Sequence, residues 1–215
     1  NLINSFKKDL NLNIIHSWQE DIGFRASRSR NKAIFKSSGD YIVLIDGDMI
    51  LHKNFLQDHI NNSEPGYFIQ GSRVLLSEKK SRKILIDKKI NISFFSGGVK
   101  NRKNSIHSNF LSKIFLTKEN NLKGIRSCNM SFYRRDCFNI NGFNNDFEGW
   151  GREDSEFVVR LKNSGIKRKN IRFNAVQFHL WHNENPRISL EINDAMLKNA
   201  INTGIQWCEN GINSI

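Results

Sequence analysis

A short apolar run followed directly by two aspartates constrains the fold of this chain most. Residues 41–45 (Tyr-Ile-Val-Leu-Ile) carry no charge and show no alternation, which is typical of a strand covered by helices on both faces of its sheet. Ligands of such α/β sheets collect beyond the carboxyl ends of the strands. The Asp46-Gly47-Asp48 motif occupies that position. The run therefore predicts a helix-flanked sheet with a site at its edge.

The Asp-Gly-Asp motif has the spacing of a metal site. Residues two apart on an extended chain point the same way, so Asp46 and Asp48 can aim two carboxylates at one cation. Oxygen ligands suit Mg²⁺ or Mn²⁺, which in proteins often also bind the phosphates of a substrate. Asp and Gly are also common turn formers, so the motif alone is weak evidence. Its position after an apolar strand favours the metal site.

Two histidines near the end of the chain are further candidate ligands. His179 and His182 lie at the end of a strand predicted over residues 171–180. Imidazole beside carboxylates favours Mn²⁺ over Mg²⁺. The alternative is that a histidine at a strand end is a hydrogen-bonded structural residue. We prefer His182 as the direct ligand and hold His179 in reserve.

Three acidic residues mark the predicted start of a late helix. Glu153, Asp154 and Glu156 follow Trp150, which has a glycine on each side, and they precede apolar residues at helical spacing. The positive end of a helix favours an ionised carboxylate. A carboxylate held ionised beside an aromatic residue can take a proton from a sugar hydroxyl. Acids in a first turn are also ordinary helix-start chemistry, and for this motif alone that interpretation is the better one.

The charge of the chain indicates which classes of partner it could bind. The net charge is +12, from 33 basic and 21 acidic residues, which favours an anionic partner. Nucleic acid is not expected, because no nucleic-acid-binding motif accompanies the charge. A basic module that binds nucleic acid or another polyanion is the alternative function, on charge alone. The basic residues concentrate in 79–103 and 162–172, and the first of these segments could lie against anionic headgroups or be a solvated loop.

The cysteines and the hydropathy pattern bear on location. Three unevenly spaced cysteines, with no CxxC pair, indicate reduced thiols. No apolar run approaches the roughly 18 residues of a membrane span. We therefore expect a cytoplasmic protein, with peripheral attachment to the inner face of the membrane as a further possibility.

Two sets of motifs resemble a known family. Residues 28–33 and 38–48 look like the middle of a GT-A glycosyltransferase of family 2. Residues 128–132 and 141–154 are similar to the C-terminal part of β-1,4-galactosyltransferases and bacterial chondroitin polymerase. The order and separation of these blocks also match, which makes the set more specific than any single block.

The resemblance implies an inverting, metal-dependent transferase. It would use Mn²⁺, with Mg²⁺ as the alternative, and move a sugar from a nucleotide donor, UDP-linked, to a glycan or lipid-linked acceptor. The implied metal ligands are Asp48, Asp46 and His182, with His179 in reserve. Asp154 would be the catalytic base, and Glu153 would hold an acceptor hydroxyl or the donor sugar. Trp150 would stack on a sugar, with Gly151 and Arg152 beside it. Arg30 and Asn31 would contact the nucleotide, and Asp46 would also face the donor.

The resemblance also implies the organisation of the chain. We expect one catalytic domain of the α/β class, with a GT-A (Rossmann-like) mixed, largely parallel sheet flanked by helices. Its parts are 1–75 for the nucleotide sugar and metal, 76–126 as an irregular basic acceptor loop, 127–187 with the catalytic acids and histidines, and 188–215 as a C-terminal helix. Family members open with a strand that grips the nucleotide base. We expect that first strand–helix unit to be missing here, and the chain alone to bind donor weakly. An inactive, interaction-only relative is therefore a further alternative.

Overall fold

Helices and strands alternate along the chain in a computed structural model that describes residues 2–10, 12–119, 121–183 and 186–215. The α-helices of these residues are α1 (Leu2–Leu10), α2 (Ala26–Lys36), α3 (Phe55–Asn62), α4 (Glu78–Asp87), α5 (Asn109–Ile114), α6 (Arg134–Asn139), α7 (Glu153–Asn163) and α8 (Leu190–Thr203). The strands are β1 (Tyr41–Leu44), β2 (Met49–Leu51), β3 (Tyr67–Gln70), β4 (Val74–Leu76), β5 (Val99–Lys100), β6 (Thr117–Glu119), β7 (Met130–Tyr133), β8 (Lys167–Asn170) and β9 (Gln177–His179). Short 3₁₀ turns lie at Arg102–Ser105, Ser127–Asn129 and Ile212–Ser214.

The strands form two mixed sheets. The first has the order β1-β7-β3-β8-β6 and the second the order β2-β9-β4-β5. The predicted α/β class, with a mixed sheet flanked by helices, is confirmed. Strand direction differs from the expectation of a largely parallel sheet, since only the pairs β3–β8 and β4–β9 are parallel among the described strands. In the first sheet, β7 inserts between β1 and β3 and runs opposite to both, and β6 runs opposite to β8. In the second sheet, β2 runs opposite to β9 and β5 opposite to β4.

The main core lies between the first sheet and α7. Phe157, Val158 and Leu161 of α7 are buried with Phe132 of β7, and the ring of Phe143 stacks on Phe157 at 4.1 Å between centroids. Fully burying such a side chain stabilises a fold by about 1.5–3 kcal/mol. This packing fixes α7, and with it the acids of its first turn, against the sheet.

A polar junction joins the two sheets where the chain passes from β3 to β4. The amide nitrogen of Asn129 donates to the carbonyls of Ser72 (2.7 Å) and Ala175 (2.9 Å). Its amide oxygen lies 3.0 Å from Nε2 of His59, and burial lowers the pKa of that histidine to about 4, so the ring is neutral. A Cβ atom on Gly71 would collide with the Asn129 amide. Only glycine fits here, because the junction is closely packed.

The segment expected to be irregular contains more regular structure than predicted. Residues 76–126 include α4, β5, α5 and β6, and both β5 and β6 are paired into sheets. Ile84 of α4 and Val99 of β5 are buried in a second core with Val176 and Phe178. Among the described residues, no helix has the length and apolar content needed to cross a bilayer.

Candidate active site

The second sheet brings an aspartate and two histidines together. Met49 of β2 pairs with His179 of β9, so Asp48, one residue before Met49, lies beside the end of β9. Its Oδ2 is 3.1 Å from Nε2 of His179 and 3.0 Å from Nε2 of His182. The ligand atoms of this trio all lie within 4.8 Å of one another. One cation could contact all three.

The chemistry of the trio fits a divalent metal. Nδ1 of His182 lies 2.7 Å from the carbonyl oxygen of Asn183, which can only accept, so Nδ1 donates and Nε2 of the neutral ring keeps its lone pair. Oδ1 of Asp48 is buried and has no hydrogen-bond partner among the described residues. The hydrogen bond from His179 lowers the pKa of Asp48, which keeps the carboxylate ionised. One carboxylate with two imidazoles suits Mn²⁺ better than Mg²⁺.

One guanidinium connects the two acidic elements of the sequence. Arg30 of α2 lies 3.0 Å from Oε1 of Glu153 and 3.5 Å from Oδ1 of Asp46. Its charge also sits 5.5 Å from the centre of the Phe143 ring. The start of α7 and the loop after β1, about a hundred residues apart in sequence, therefore come together at Arg30, and we call the space that they border the cleft. Asp46 points to Arg30, and its role as a metal ligand stays a prediction.

Asp154 is a half-buried carboxylate in the first turn of α7. Its Oδ1 accepts a hydrogen bond from the Ser155 hydroxyl at 3.2 Å. Burial, followed by the negative charge of Glu153, raises the pKa of Asp154 to about 6, and the positive charge of Arg30 opposes the rise. A carboxyl group with this pKa is mostly ionised at neutral pH and is still basic enough to accept a proton.

The third acid of the motif has a different place. Glu156 is buried and binds Arg160 through two hydrogen bonds of 2.6 and 2.8 Å. Arg160 also donates to the carbonyl of Ile140 at 2.6 Å. Glu156 therefore stabilises α7 from inside the core and does not face the cleft.

The loop before α7 is held by α8. Gly151 has a φ of 106°, and its carbonyl accepts a hydrogen bond of 2.9 Å from Asn193. Arg152 pairs with Asp194 of α8. The guanidinium of Arg187 lies 5.0 Å from the ring centre of the partly exposed Trp150. The structure thus places Trp150 and Gly151 beside the acids but turns the Arg152 side chain toward α8. The sugar-binding roles of these residues stay predictions.

Asn31 lies outside the cleft. Its side chain is fully buried, and its amide donates to the Phe143 carbonyl (2.6 Å) and to Oδ1 of Asn145 (2.9 Å). Its oxygen accepts from the Phe143 N–H at 2.8 Å. With every strong donor and acceptor engaged inside the protein, Asn31 fixes the loop before α7, and we do not retain it as a nucleotide contact.

Two arginines near the acids, Arg73 and Arg126, were not identified as candidate site residues from the sequence. Burial, and then the positive charge of Arg73, lower the pKa of Arg126, while the negative charge of Asp154 opposes this shift. The segment 70–73 and Arg126 lie together because the Gln70 side chain accepts a hydrogen bond from the Arg126 N–H (3.1 Å) and donates one to the Arg126 carbonyl (3.0 Å). In the sequence these arginines are two among 33 basic residues and belong to no motif.

Comparison with known proteins identifies the class of this fold. The crystal structure of GalNAc-T7 with UDP, GalNAc and Mn²⁺ is similar over 85% of this chain, with a TM-score of 0.57 and 9% sequence identity. The match covers 35% of the GalNAc-T7 chain, so the present chain corresponds to about a third of it. The architecture is therefore similar to that of a GT-A glycosyltransferase.

The family is shown by the sequence itself. A model described as glycosyl transferase family 2 matches residues 2–139, more than half of the chain, and the chain belongs to that family. A second model, described as the N-terminal domain of galactosyltransferase, matches residues 113–183. The resemblance inferred from the motifs is confirmed. A search of curated proteins found no significant match.

Proposed function

We propose that this chain is an inverting, metal-dependent glycosyltransferase. It moves a sugar from a nucleotide donor, UDP-linked, to a hydroxyl of a glycan or a lipid-linked acceptor. The observation that carries the proposal is the contact of Arg30 with both Asp46 and Glu153. This contact brings the metal-binding motif and the acids of α7 to one cleft, as one reaction centre requires. The neighbour bound to UDP, GalNAc and Mn²⁺ supports the same class of donor.

Asp154 is the proposed base. In an inverting transfer the acceptor hydroxyl attacks the anomeric carbon directly, so one base suffices and no covalent enzyme intermediate forms. Asp154 accepts the hydroxyl proton as the new bond to the anomeric carbon forms and the bond to the diphosphate breaks. Such assistance contributes about 10²–10⁴-fold to the rate. Glu153, held by Arg30, orients an acceptor hydroxyl or the donor sugar, and Trp150 offers a face for sugar stacking.

Asp48, His179 and His182 would hold the metal, with Asp46 as a further candidate ligand. Bound there, Mn²⁺ or Mg²⁺ would neutralise charge on the leaving diphosphate. Arg30, which pairs with Asp46, would contact the donor as well. The parts of the chain keep their proposed assignments within one catalytic domain: residues 1–75 for donor and metal, 76–126 for the acceptor, 127–187 for catalysis and 188–215 as a supporting helix.

A panel of nucleotide sugars tests the proposal. With Mn²⁺ present, release of a nucleoside diphosphate from one or more UDP-sugars is the expected result, and the product should carry the anomeric configuration opposite to that of the donor. Retention of configuration would contradict the single-base mechanism. Binding to polyanions with no turnover, unchanged by loss of Asp48 or Asp154, would favour the polyanion-binding alternative. Metal-independent folding without turnover would favour an interaction domain.

Replacement of Arg30 by Gln should slow transfer and move its pH dependence. Loss of the contacts to Asp46 and Glu153 displaces groups on both sides of the cleft, and we expect a fall of about 10- to 100-fold. Loss of the positive charge also lets the pKa of Asp154 rise further, so the acid side of the pH–rate profile moves to higher pH. Arg30→Lys should keep the profile in place, and Lys36→Gln, on the exposed face of the same helix, should change neither quantity. An unshifted pH–rate profile in Arg30→Gln would contradict the proposed effect of the Arg30 charge on the pKa of Asp154.

The three cysteines are buried free thiols, which agrees with a reducing compartment. We therefore propose a cytoplasmic location. A lipid-linked acceptor would bring the protein to the inner face of the membrane, and we propose peripheral contact there.

A further inference from the structure

The exposed side of α4 and the segment after it carry large apolar side chains next to lysines. Ile86 is 78% exposed and Phe95 is 88% exposed, and Leu85 and Ile90 are exposed as well. Ile84, in the same helix, is buried in the second core. The helix is thus anchored by one apolar residue and leaves its neighbours uncovered. Single exposed apolar residues are common, but several large ones within residues 85–95 concentrate apolar surface in one segment, as interaction sites do.

The charge around these side chains has one dominant sign. Residues 79–103 contain nine Lys and Arg residues and a single acid, Asp87. Arg82 is paired with Glu78, whereas Lys83, Lys88 and Lys89 are exposed and have no acidic partner among the described residues. A surface that combines large aliphatic and aromatic tips with unpaired lysines complements a layer that is apolar inside and anionic outside.

Two cations hold the apolar segment in a defined shape. Nζ of Lys80 donates to the carbonyl of Asn91 at 2.9 Å. One guanidinium nitrogen of Arg102 donates to the carbonyls of Phe94 (2.6 Å) and Ser96 (2.9 Å). These contacts fix the segment next to the start of α4 and to the 3₁₀ turn at Arg102–Ser105. The surface is therefore already formed before any partner binds, which lowers the entropic cost of binding.

The same helix contacts the strand end that carries the candidate metal ligands. The Ser81 hydroxyl oxygen accepts a hydrogen bond of 2.8 Å from the backbone N–H of Trp181, between His179 and His182. Ser81 is buried, on the side of α4 opposite to Lys83 and Ile86. A partner bound to the outer side of α4 would lie one helix away from the cleft.

We infer that α4 and residues 88–95 dock this protein on an anionic lipid bilayer, with Leu85, Ile86, Ile90 and Phe95 entering the headgroup region and the neighbouring lysines contacting lipid charges. Docking in this way presents the cleft to acceptors carried by that bilayer. The docking itself does not depend on the proposed function. Its benefit, which is to bring the cleft to acceptors in the bilayer, does rest on the proposed function.

Co-sedimentation with vesicles tests the docking surface. The whole chain should bind vesicles of equal parts phosphatidylcholine and phosphatidylglycerol, bind vesicles of phosphatidylcholine far more weakly, and be released by salt. Each lysine near a charged surface contributes about 1 kcal/mol, or about fivefold in partitioning, so Lys88→Glu with Lys89→Glu should weaken binding by more than about 25-fold. Ile86→Ser with Phe95→Ser should weaken it by at least about tenfold, since both lose apolar burial.

A matched pair on α8 provides the control. Lys198→Glu with Ile201→Ser makes the same two kinds of substitution at an exposed lysine and an exposed isoleucine of α8. This variant should bind vesicles as the wild type does. Equal binding to both kinds of vesicle would overturn the inference. Weakening by the lysine pair but not by Ile86→Ser with Phe95→Ser would mark a polyanion site. A change from dimer to monomer in the apolar variant would mark an interface between copies of the chain.

A second measurement separates this inference from the proposed function. In the absence of any acceptor, the docking variants should hydrolyse a soluble donor at the wild-type rate, because the substituted residues lie outside the segment 1–75 proposed for donor and metal. They should lose turnover only when the acceptor is embedded in vesicles. Vesicle binding without any donor turnover would support the docking surface and contradict the proposed transferase function.

Discussion

Asp154→Asn should lower the rate of sugar transfer by about 10²–10⁴-fold while donor and Mn²⁺ binding stay close to wild type. The amide keeps the shape of the carboxyl group and can still accept the hydrogen bond from Ser155, but it cannot take up the acceptor proton. The measurement is nucleoside diphosphate release at saturating donor, with binding followed separately by titration calorimetry. Glu209→Gln, an exposed acid-to-amide change near the C-terminus, should leave the rate unchanged. Loss of donor binding in Asp154→Asn would instead assign this residue to the donor site.

The same substitution should make the protein more stable at pH 8. The pKa of Asp154 in the folded protein, about 6, lies above its normal value near 4, so the folded state favours the protonated form. The stability contributed by that proton is complete below pH 4 and is lost as the pH rises through 6. Asn carries no charge to lose, and we expect a gain of about 1–3 kcal/mol in the free energy of unfolding above pH 7, shrinking toward pH 4. Urea unfolding at both pH values measures it, and a gain that does not vary with pH would contradict the raised pKa.

The wild-type rate should depend on pH through the same group. Transfer requires the ionised form of Asp154, so kcat/KM should fall by about tenfold per pH unit below about pH 6 and level off above it.

Asp48→Asn should abolish most metal binding, and with it transfer. Oδ2 of Asp48 is the oxygen that both His179 and His182 face, and an amide offers no negative charge to a divalent ion. Changes to residues that only support a metal ligand cost 10–100-fold in affinity, so loss of a charged ligand should cost at least about 100-fold for Mn²⁺. Titration of Mn²⁺ followed by electron paramagnetic resonance measures the affinity directly.

A neighbouring aspartate serves as the control for this experiment. Asp40→Asn, at an exposed position just before β1, should bind Mn²⁺ as the wild type does. His179→Ala and His182→Ala should each weaken binding, and a variant that binds Mn²⁺ normally would remove that histidine from the site. Normal transfer by Asp48→Asn with Mn²⁺ removed by a chelator would contradict metal dependence altogether.

The local motifs predicted two of the elements that border the candidate site. The apolar run predicted the strand β1, although β1 lies at the edge of the first sheet and only Ile42 of its residues is buried. The spacing of Phe157, Val158 and Leu161 predicted α7 with its acidic first turn. These features depend on residues close in sequence, which is the information that a single sequence carries. The nearness of His179 and His182 to Asp48 follows from the pairing of β2 with β9, which the sequence does not show. The two histidines were candidates because they lie at a predicted strand end, and the family resemblance supported them.

Features that depend on long-range partners were not predictable. β8 has the sequence Lys-Arg-Lys-Asn and contains no apolar residue, yet it lies inside the first sheet between β3 and β6. Lys169 can be buried there because its ammonium donates to the Asn62 carbonyl and pairs with Glu64. Likewise, the sequence does not distinguish an amide that contacts a ligand from one that is buried, and Asn31 proved to be the second kind. In both cases the decisive partner lies about a hundred residues away.

The junction at Asn129 has a consequence for how substrate preference could be altered. The Asn129 amide bonds to carbonyls that lead into both sheets, and Gly71 leaves no space for a larger residue. The two sheets therefore form one rigid unit and do not close on a substrate by moving relative to each other. Enclosure of a substrate then falls to the connecting segments alone. Exchange of connecting segments other than residues 88–95 between family members should therefore change the choice of acceptor while the donor half keeps its geometry.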